Sequence, residues 1–336
     1  MSLPESVKKE ALRLEVVEEI EKHIGPEMSY LRPTEKCWQP TDLLPELTEE
    51  GWHEKVQLLR QMADELPRDL LIVLIGDMIT EEALPTYHAW LSRLDAMRDH
   101  SGESERPWAK WMRGWTAEEN RHGDLLNRWL YLSGRVNMRS VENTIQRLIR
   151  DGFDPGTQND PYRAFVYTSF QERATRISHS NVGRLARDVG DSTLQRICTT
   201  ISTDEARHKQ AYKGFAQRAL EIDPNGFLPA AEDMLRRAIV MPAVNMTDES
   251  GGDLFKSFVT VAEQMQVYTA NDYTDILRHL IEFWNLEHLA GPLSAEAARA
   301  RDFLCSLPDR YERLAQRRRA SNASQQTNKL AEEWLK

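Results

Sequence analysis

The stretch Thr116-Ala-Glu-Glu-Asn-Arg-His-Gly-Asp-Leu-Leu126 decides the fold, and Ser202-Thr-Asp-Glu-Ala-Arg-His208 repeats its central feature. Each holds a Glu-x-x-His step, Glu119 with His122 and Glu205 with His208. Side chains three apart on an α-helix leave the same face about one turn from each other, so the carboxylate and imidazole of one step can reach one metal ion. Two such helices face to face offer two carboxylates and two imidazoles to a pair of ions. The apolar neighbours Leu125, Leu126 and Trp129, and Ile197, Ile201 and Tyr212, turn both faces inward.

Further carboxylates stand upstream of each step. Glu81 precedes Glu119 by 38 residues and Glu172 precedes Glu205 by 33, both in stretches that read as helix, Ile79–Leu94 and Pro161–Val189. The order Glu, Glu-x-x-His, Glu, Glu-x-x-His matches the ligand set of ferritin-like di-iron or di-manganese bundles; the site type is matched rather than derived. Such hard-to-borderline ligands suit iron or manganese. Four carboxylates also balance two divalent ions, which makes burial tolerable. Glu81 and Glu172 are 91 residues apart, and Glu119 and Glu205 are 86 apart, so the two halves read as a degenerate repeat of one helix pair. A lone Glu-x-x-His arises roughly once by accident in a chain of this size. Glu50-Gly-Trp-His53, beside Pro45 and without a partner, is such an accident.

The length of 336 residues allows two domains or one large one. Charged residues at 29% and hydrophobic residues at 40% are ordinary for a globular chain. The longest aliphatic run, Leu70–Ile75, is too short to span a bilayer, so no membrane insertion is expected. Met1–His23 is charged throughout and lacks the apolar core of a signal peptide, and its many Glu are unlike a transit peptide. Cys37, Cys198 and Cys305 are odd in number and far apart, which suggests buried thiols in a reducing compartment. A net charge of −10 argues against a general nucleic-acid binder.

Along the chain, helices are expected over Ser6–Ile24, Trp52–Glu65, Asp69–Leu94, Trp108–Gly134, Val141–Asp151, Pro161–Val189 and Ser192–Ile222. More follow over Pro229–Val240, Asp253–Val267, Asp272–Leu286 and Ser294–Leu307, and no convincing strand is seen. Pro85 predicts a kink inside Asp69–Leu94. The fold class is therefore all-α: a ferritin-like helical bundle with flanking helices. It forms one domain over 1–320, whose first 30 residues are a helical extension, followed by a polar tail over 321–336. Ser321–Asn328 is expected to be disordered and Leu330–Leu335 to be a half-helix.

From Leu31-Arg-Pro-Thr-Glu-Lys-Cys-Trp-Gln-Pro40 to Asp302-Phe-Leu-Cys-Ser-Leu-Pro308 the sequence resembles the soluble acyl-acyl-carrier-protein desaturases, the family of the plant stearoyl enzymes. Gly76-Asp-Met-Ile-Thr-Glu-Glu-Ala-Leu-Pro-Thr-Tyr87, Trp115–Asn127 and Tyr167–Thr175 carry the likeness. The resemblance implies two irons per chain, with manganese second, held by Glu81, Glu119, His122, Glu172, Glu205 and His208. The spacing alone does not choose between Glu81 and Glu82; the likeness selects Glu81. It also implies a ferredoxin donor whose electrons pass Trp38, Asp204 and His122, although a Trp in such a loop is by itself a packing anchor. Thr175, a helix-packing residue on physics alone, gains a role with oxygen-derived protons. A homodimer is implied too, in a bacterial cytoplasm or, as a mature form, a plastid stroma.

The implied reaction removes two hydrogens from adjacent methylenes of a fatty acyl chain on acyl carrier protein. No side chain is oxidising enough for that, so the chemistry belongs to the metal centre and O₂. The implied substrate channel involves Trp90, Arg93, Leu94, Pro155, Thr157, Ala164 and Phe165, with Lys256 at its mouth. Trp90 and Arg93 depart from the Δ9 pattern: a Trp narrows an apolar tube, and a buried unpaired Arg would be costly. A specificity other than stearoyl Δ9 is expected, with shorter chains or a double bond nearer the thioester. Two alternatives stand beside this: a di-iron hydroxylase or oxygenase of a carrier-bound chain, and a non-catalytic ferritin-like iron-binding protein.

Overall fold

A computed structural model describes residues 4–317 and 323–336. Thirteen α-helices are present among them: α1 (Glu5–Lys22), α2 (Trp52–Asp64), α3 (Arg68–Glu82), α4 (Leu84–Ser92), α5 (Pro107–Ser133), α6 (Met138–Asp151) and α7 (Pro161–Asp188), followed by α8 (Ser192–Ile222), α9 (Pro224–Arg236), α10 (Phe255–Gln264), α11 (Ala270–Phe283), α12 (Ala295–Arg317) and α13 (Ala323–Trp334). Beyond short 3₁₀ turns, the described residues form no strand, only isolated bridges Val136–Leu335 and Thr247–Asp253. None of these helices is long and apolar enough to cross a membrane.

The centre is α3. Its run Leu70–Ile75 is buried on every side, with α5, α7, α10 and α13 packed around it. A strand-length apolar run becomes helix here because it continues into helix formers and all its faces are covered. Pro85 divides the expected Asp69–Leu94 helix at Ala83, with Pro85 in the first turn of α4, where a missing N–H costs nothing. The Tyr87 hydroxyl lies 3.4 Å from the Glu81 carbonyl, which has no donor at Pro85. Glu81 thus stands in the last turn of α3, at the break.

The other site helices start and stop on plain signals. α5 opens on Pro107 and ends at Gly134, whose φ of +73° is open to glycine. Asp160 caps α7 through the Tyr162 N–H at 3.0 Å, and Asp191 caps α8 through the Leu194 N–H at 2.8 Å. A three-residue joint, Val189-Gly190-Asp191, folds α7 back on α8. Antiparallel α7 and α8 form the longest helix–helix seam of the molecule, and α3 with α5 completes the four-helix centre.

Three boundaries differ from the sequence expectations. α9 starts at Pro224 instead of Pro229, because Asp223 caps it through the Gly226 N–H at 2.9 Å and Pro229 is accommodated inside. α12 runs on from Leu307 to Arg317. Instead of a disordered tail, α13 begins at Ala323, while Ser321 and Asn322 lie outside the described residues. Leu330, Ala331 and Trp334 are core residues, so the chain's last turns belong to the domain rather than to an appendage. The thiols of Cys37 and Cys305 are only half-buried; Cys198 alone is fully buried, and all three are free. His53 of the accidental motif stacks on Trp52, away from the centre.

Candidate metal centre

Two groups of buried acidic and imidazole side chains meet between the four central helices. One is Glu81, Glu119, His122 and Glu205; the other is Glu119, Glu172, Glu205 and His208. Within each group one ligand atom per residue lies within 4.8 Å of every other. Glu119 and Glu205 belong to both groups, as carboxylates that bridge two ions would. All six residues singled out by spacing and the family resemblance therefore come together, and Glu82, which spacing left open, turns away toward the Asn127 amide at 3.4 Å.

The electrostatics call for cations. Burial first, and then the charges of Glu119 and Glu205, push the Glu172 carboxyl well above its ordinary range. Burial and then Glu119 raise Glu205 as well. Burial alone would lower His122, but Glu119 and then Asp204 outweigh it. The contact of His208 Nδ1 with Glu119 Oε1 is 2.7 Å, and that of His122 Nδ1 with Glu205 Oε1 is 3.1 Å. Even so, both Nδ1 atoms and both of these oxygens are buried without a hydrogen bond, as is Glu172 Oε2. Atoms that converge at such distances, yet are not aligned as donor and acceptor, point at a common centre. The donor set and the orphaned atoms fit two metal ions.

Both imidazoles present Nδ1 to the centre, and the opposite nitrogen meets an acid from the other Glu-x-x-His helix. His208 Nε2 of α8 lies 3.0 Å from Glu118 of α5, and His122 Nε2 of α5 lies 3.6 Å from Asp204 of α8. The Glu118 carboxylate fixes the tautomer and orientation of His208, while Asp204 places negative charge behind His122 without a hydrogen bond to it. Glu118 also accepts the Arg32 N–H at 2.6 Å and an Arg207 N–H at 2.7 Å. Burial opposes this, but His208 and then Arg207 hold its carboxyl down at about 2. The sequence reading missed Glu118, although an acid immediately before each Glu-x-x-His step was the available signal. It also missed His179, which touches Glu81 at 2.7 Å, and Trp115, whose N–H reaches Glu172 at 3.1 Å.

Trp38 is half-buried in its loop. Its indole N–H donates to Asp204 at 2.8 Å, and its ring lies parallel to His122 at 6.1 Å. A continuous contact path therefore runs from the surface to the centre. The Thr175 hydroxyl donates to Glu205 at 2.8 Å.

Two cavities share Thr80, Glu81 and Thr175 in their walls. The smaller, about 50 Å³, is lined by Tyr87, Trp90, Trp115, Tyr167 and Pro242 and touches Glu119, Glu172 and Glu205. The larger, about 290 Å³, is walled by Phe170, Ala174, Ile239, Met241, Phe258 and Tyr273 and reaches exposed Val259 and Glu263. Of the residues expected to line the channel, Trp90 alone lies in either wall. Its N–H donates to Thr157 at 2.7 Å, and its ring meets Tyr167 edge-on at 5.2 Å. Thr157, Leu94, Ala164 and Phe165 are buried behind the wall, and Pro155 is half-buried. Arg93 corrects the expectation: it is half exposed and paired with Asp154 at 3.5 Å, so its length and charge are solvated rather than trapped. Lys256 is exposed on α10, the helix whose Phe255 and Phe258 line the larger cavity.

A four-helix bundle with a buried carboxylate–histidine cluster of this kind is a ferritin-like fold carrying the residues of a metal site. The fatty acid desaturase family matches residues 12–336, and the chain belongs to it. It is 56% identical over 290 residues to "Stearoyl-[acyl-carrier-protein] 9-desaturase 1, chloroplastic" of Arabidopsis thaliana, covering 86% of this chain and 73% of that protein. It is 54% identical over 288 residues to "Acyl-[acyl-carrier-protein] desaturase, chloroplastic" of Cucumis sativus, covering 86% and 72%. The X-ray structure of DesA2 from Mycobacterium tuberculosis H37Rv superposes with a TM-score of 0.52 at 15% identity, over 85% of this chain and 99% of that one, a likeness of fold.

Proposed function

We propose that the chain is an acyl-[acyl-carrier-protein] desaturase whose six buried ligands hold two irons and whose electrons come from a ferredoxin. The observation that carries this is the pair of ligand groups sharing Glu119 and Glu205 beside a long apolar cavity. The reaction converts adjacent CH₂ groups, O₂, two electrons and two protons into a CH=CH unit and two waters. The irons supply the O₂-derived oxidising power that no side chain has.

The chain's own residues do the rest. Glu81, Glu119, His122, Glu172, Glu205 and His208 are the ligands; Glu118 orients the His208 imidazole, and Asp204 places negative charge behind His122. Tyr87, Trp90, Trp115 and Tyr167 keep water from the reacting carbons. Thr175 holds a proton next to Glu205. Electrons enter at Trp38 and pass Asp204 and His122, with Arg121 stacked on the Trp38 ring at 5.1 Å. A homodimer working in a bacterial cytoplasm or a plastid stroma completes the proposal.

The cavities also bear on which chain is oxidised. An acyl group entering beside Val259 passes Glu81 and Thr175 and ends in the space below Trp90. At roughly 10–15 Å³ for each water-sized group, that space takes about three to five such groups. A 9,10 double bond in a stearoyl chain leaves eight carbons beyond it. The preferred substrate therefore carries a shorter tail past the oxidised carbons, and Trp90, pinned by Thr157, sets the limit. Metal-free protein titrated with acyl carriers of increasing length should lose affinity at a shorter chain than Trp90→Ala does, and the variant's oxidation products should gain tail carbons. Equal length profiles for both proteins, with stearoyl preferred, would remove Trp90 from this role.

A further inference from the structure

In a chain of net charge −10, the side of the α7–α8 hairpin that packs against α11 is unexpectedly cationic. Lys209 and Lys213 stand one turn apart on α8 and are only 8% and 5% exposed. Hydrogen bonds from Thr175 to Glu205 and from Ser180 to Ser202 set the antiparallel register, which brings Arg173 of α7 level with Lys209; Arg176 lies one turn further along α7. α11 closes the group with His279 and Phe283. The Lys213 ammonium lies 3.5 Å from His279 Nε2 and 3.8 Å from the centre of the Phe283 ring.

Neither contact cancels a charge. Burial first, and then Arg173 and Lys213, push His279 down to about 4, so it is neutral and accepts from Lys213. Arg173 Nε is buried without a hydrogen-bond partner. Asp275 is the acid that acts on Arg173, yet it is exposed and bound to Arg278 at 2.9 Å. Among the described residues none of the four cations has an ion pair. Two other half-buried cations are paired. Arg207 is bound to Glu118 and Asp204, and Arg163 lies between Asp160 and Asp233. Grouped cations without counter-charge, two of them buried lysines, are costly, and an anion lowers that cost.

We propose that Arg173, Arg176, Lys209 and Lys213 form an anion site for a phosphate group, on the side of the α7–α8 hairpin where α11 packs. A single carboxylate would leave most of the positive charge unanswered. A phosphate dianion brings two charges and enough acceptor oxygens for two guanidinium forks and two ammonium groups. Free phosphate and a phosphate monoester share this chemistry.

Full-length protein in phosphate-free buffer would be titrated calorimetrically with inorganic phosphate and with glycerol phosphate, alongside thermal melts. Expected is saturable binding of one anion per chain and a rise in Tm. Both should be lost, with affinity down at least tenfold, in Lys213→Met and Lys209→Gln, and kept in Arg236→Gln, a surface control whose cation already pairs with Glu232. The tighter of the two ligands identifies the source of the phosphate. Lys213→Met should melt no lower than wild type without phosphate, because it removes an uncompensated charge, so loss of binding is separable from misfolding. No saturable binding to wild type, or equal binding and equal Tm shifts in all four proteins, would overturn the site.

Discussion

Glu118 and Asp204 show how much of the centre depends on residues that are not ligands. Each reaches across from one Glu-x-x-His helix to the imidazole of the other, so one helix cannot rotate without withdrawing a charge from the ring on its neighbour. Glu118→Gln keeps the shape and hydrogen-bonding reach but removes the charge behind His208. It should weaken metal retention or activity by about 10- to 100-fold. Metal content after dialysis and the rate at full loading separate the two effects, and a fully loaded, fully active variant would refute the role. The ligands were legible because helical spacing is a property of the chain alone, except that Glu81 was told from Glu82 only by the family resemblance. Their supporting groups were less so: Glu118 meets Arg207 and His208, 89 and 90 residues away, and only the packed bundle brings them together. Arg93 was misjudged for a related reason. Sequence placed it on the channel helix, but α4 ends there and its side chain escapes to Asp154.

The helices that carry the site are anchored by unusually close approaches. A Cβ at Gly76 would stand 2.2 Å from the Phe258 ring, so α3 and α10 touch where only glycine fits. Gly76→Ala should cost about 1–3 kcal/mol through overpacking. It should also push Phe258 toward the larger cavity and weaken acyl binding. Gly183→Ala, whose added Cβ meets Cys198 at 3.1 Å, is the milder comparison. Thermal melts and acyl-carrier titrations would check both, and unchanged behaviour of Gly76→Ala would show that α10 yields freely. Most helices were readable from periodicity, Pro and caps. Of α13 only the half-helix from Leu330 was, because its first turns are polar; the rest of the helix is justified by what Leu330 and Trp334 bury against α3, α6 and α10.

At the scale of the whole molecule, a repeated helix pair builds one shared centre, and the flanking helices add what a bare bundle lacks. α10 and α11 wall a long apolar cavity, and the loop bearing Trp38 links the centre to the surface. That division explains why fold and metal site could be read from two short strings, whereas substrate length could not. The latter depends on the volume left between Trp90, Tyr167 and Pro242, which no local pattern encodes. The most direct test is to supply iron-loaded protein with a series of acyl carriers, reduced ferredoxin and O₂, and to read the released fatty acids by mass spectrometry. The predicted result is two irons per chain and a monounsaturated product with fewer than eight carbons beyond the double bond. A hydroxylated product, or none at all from protein holding two irons, would contradict the assignment.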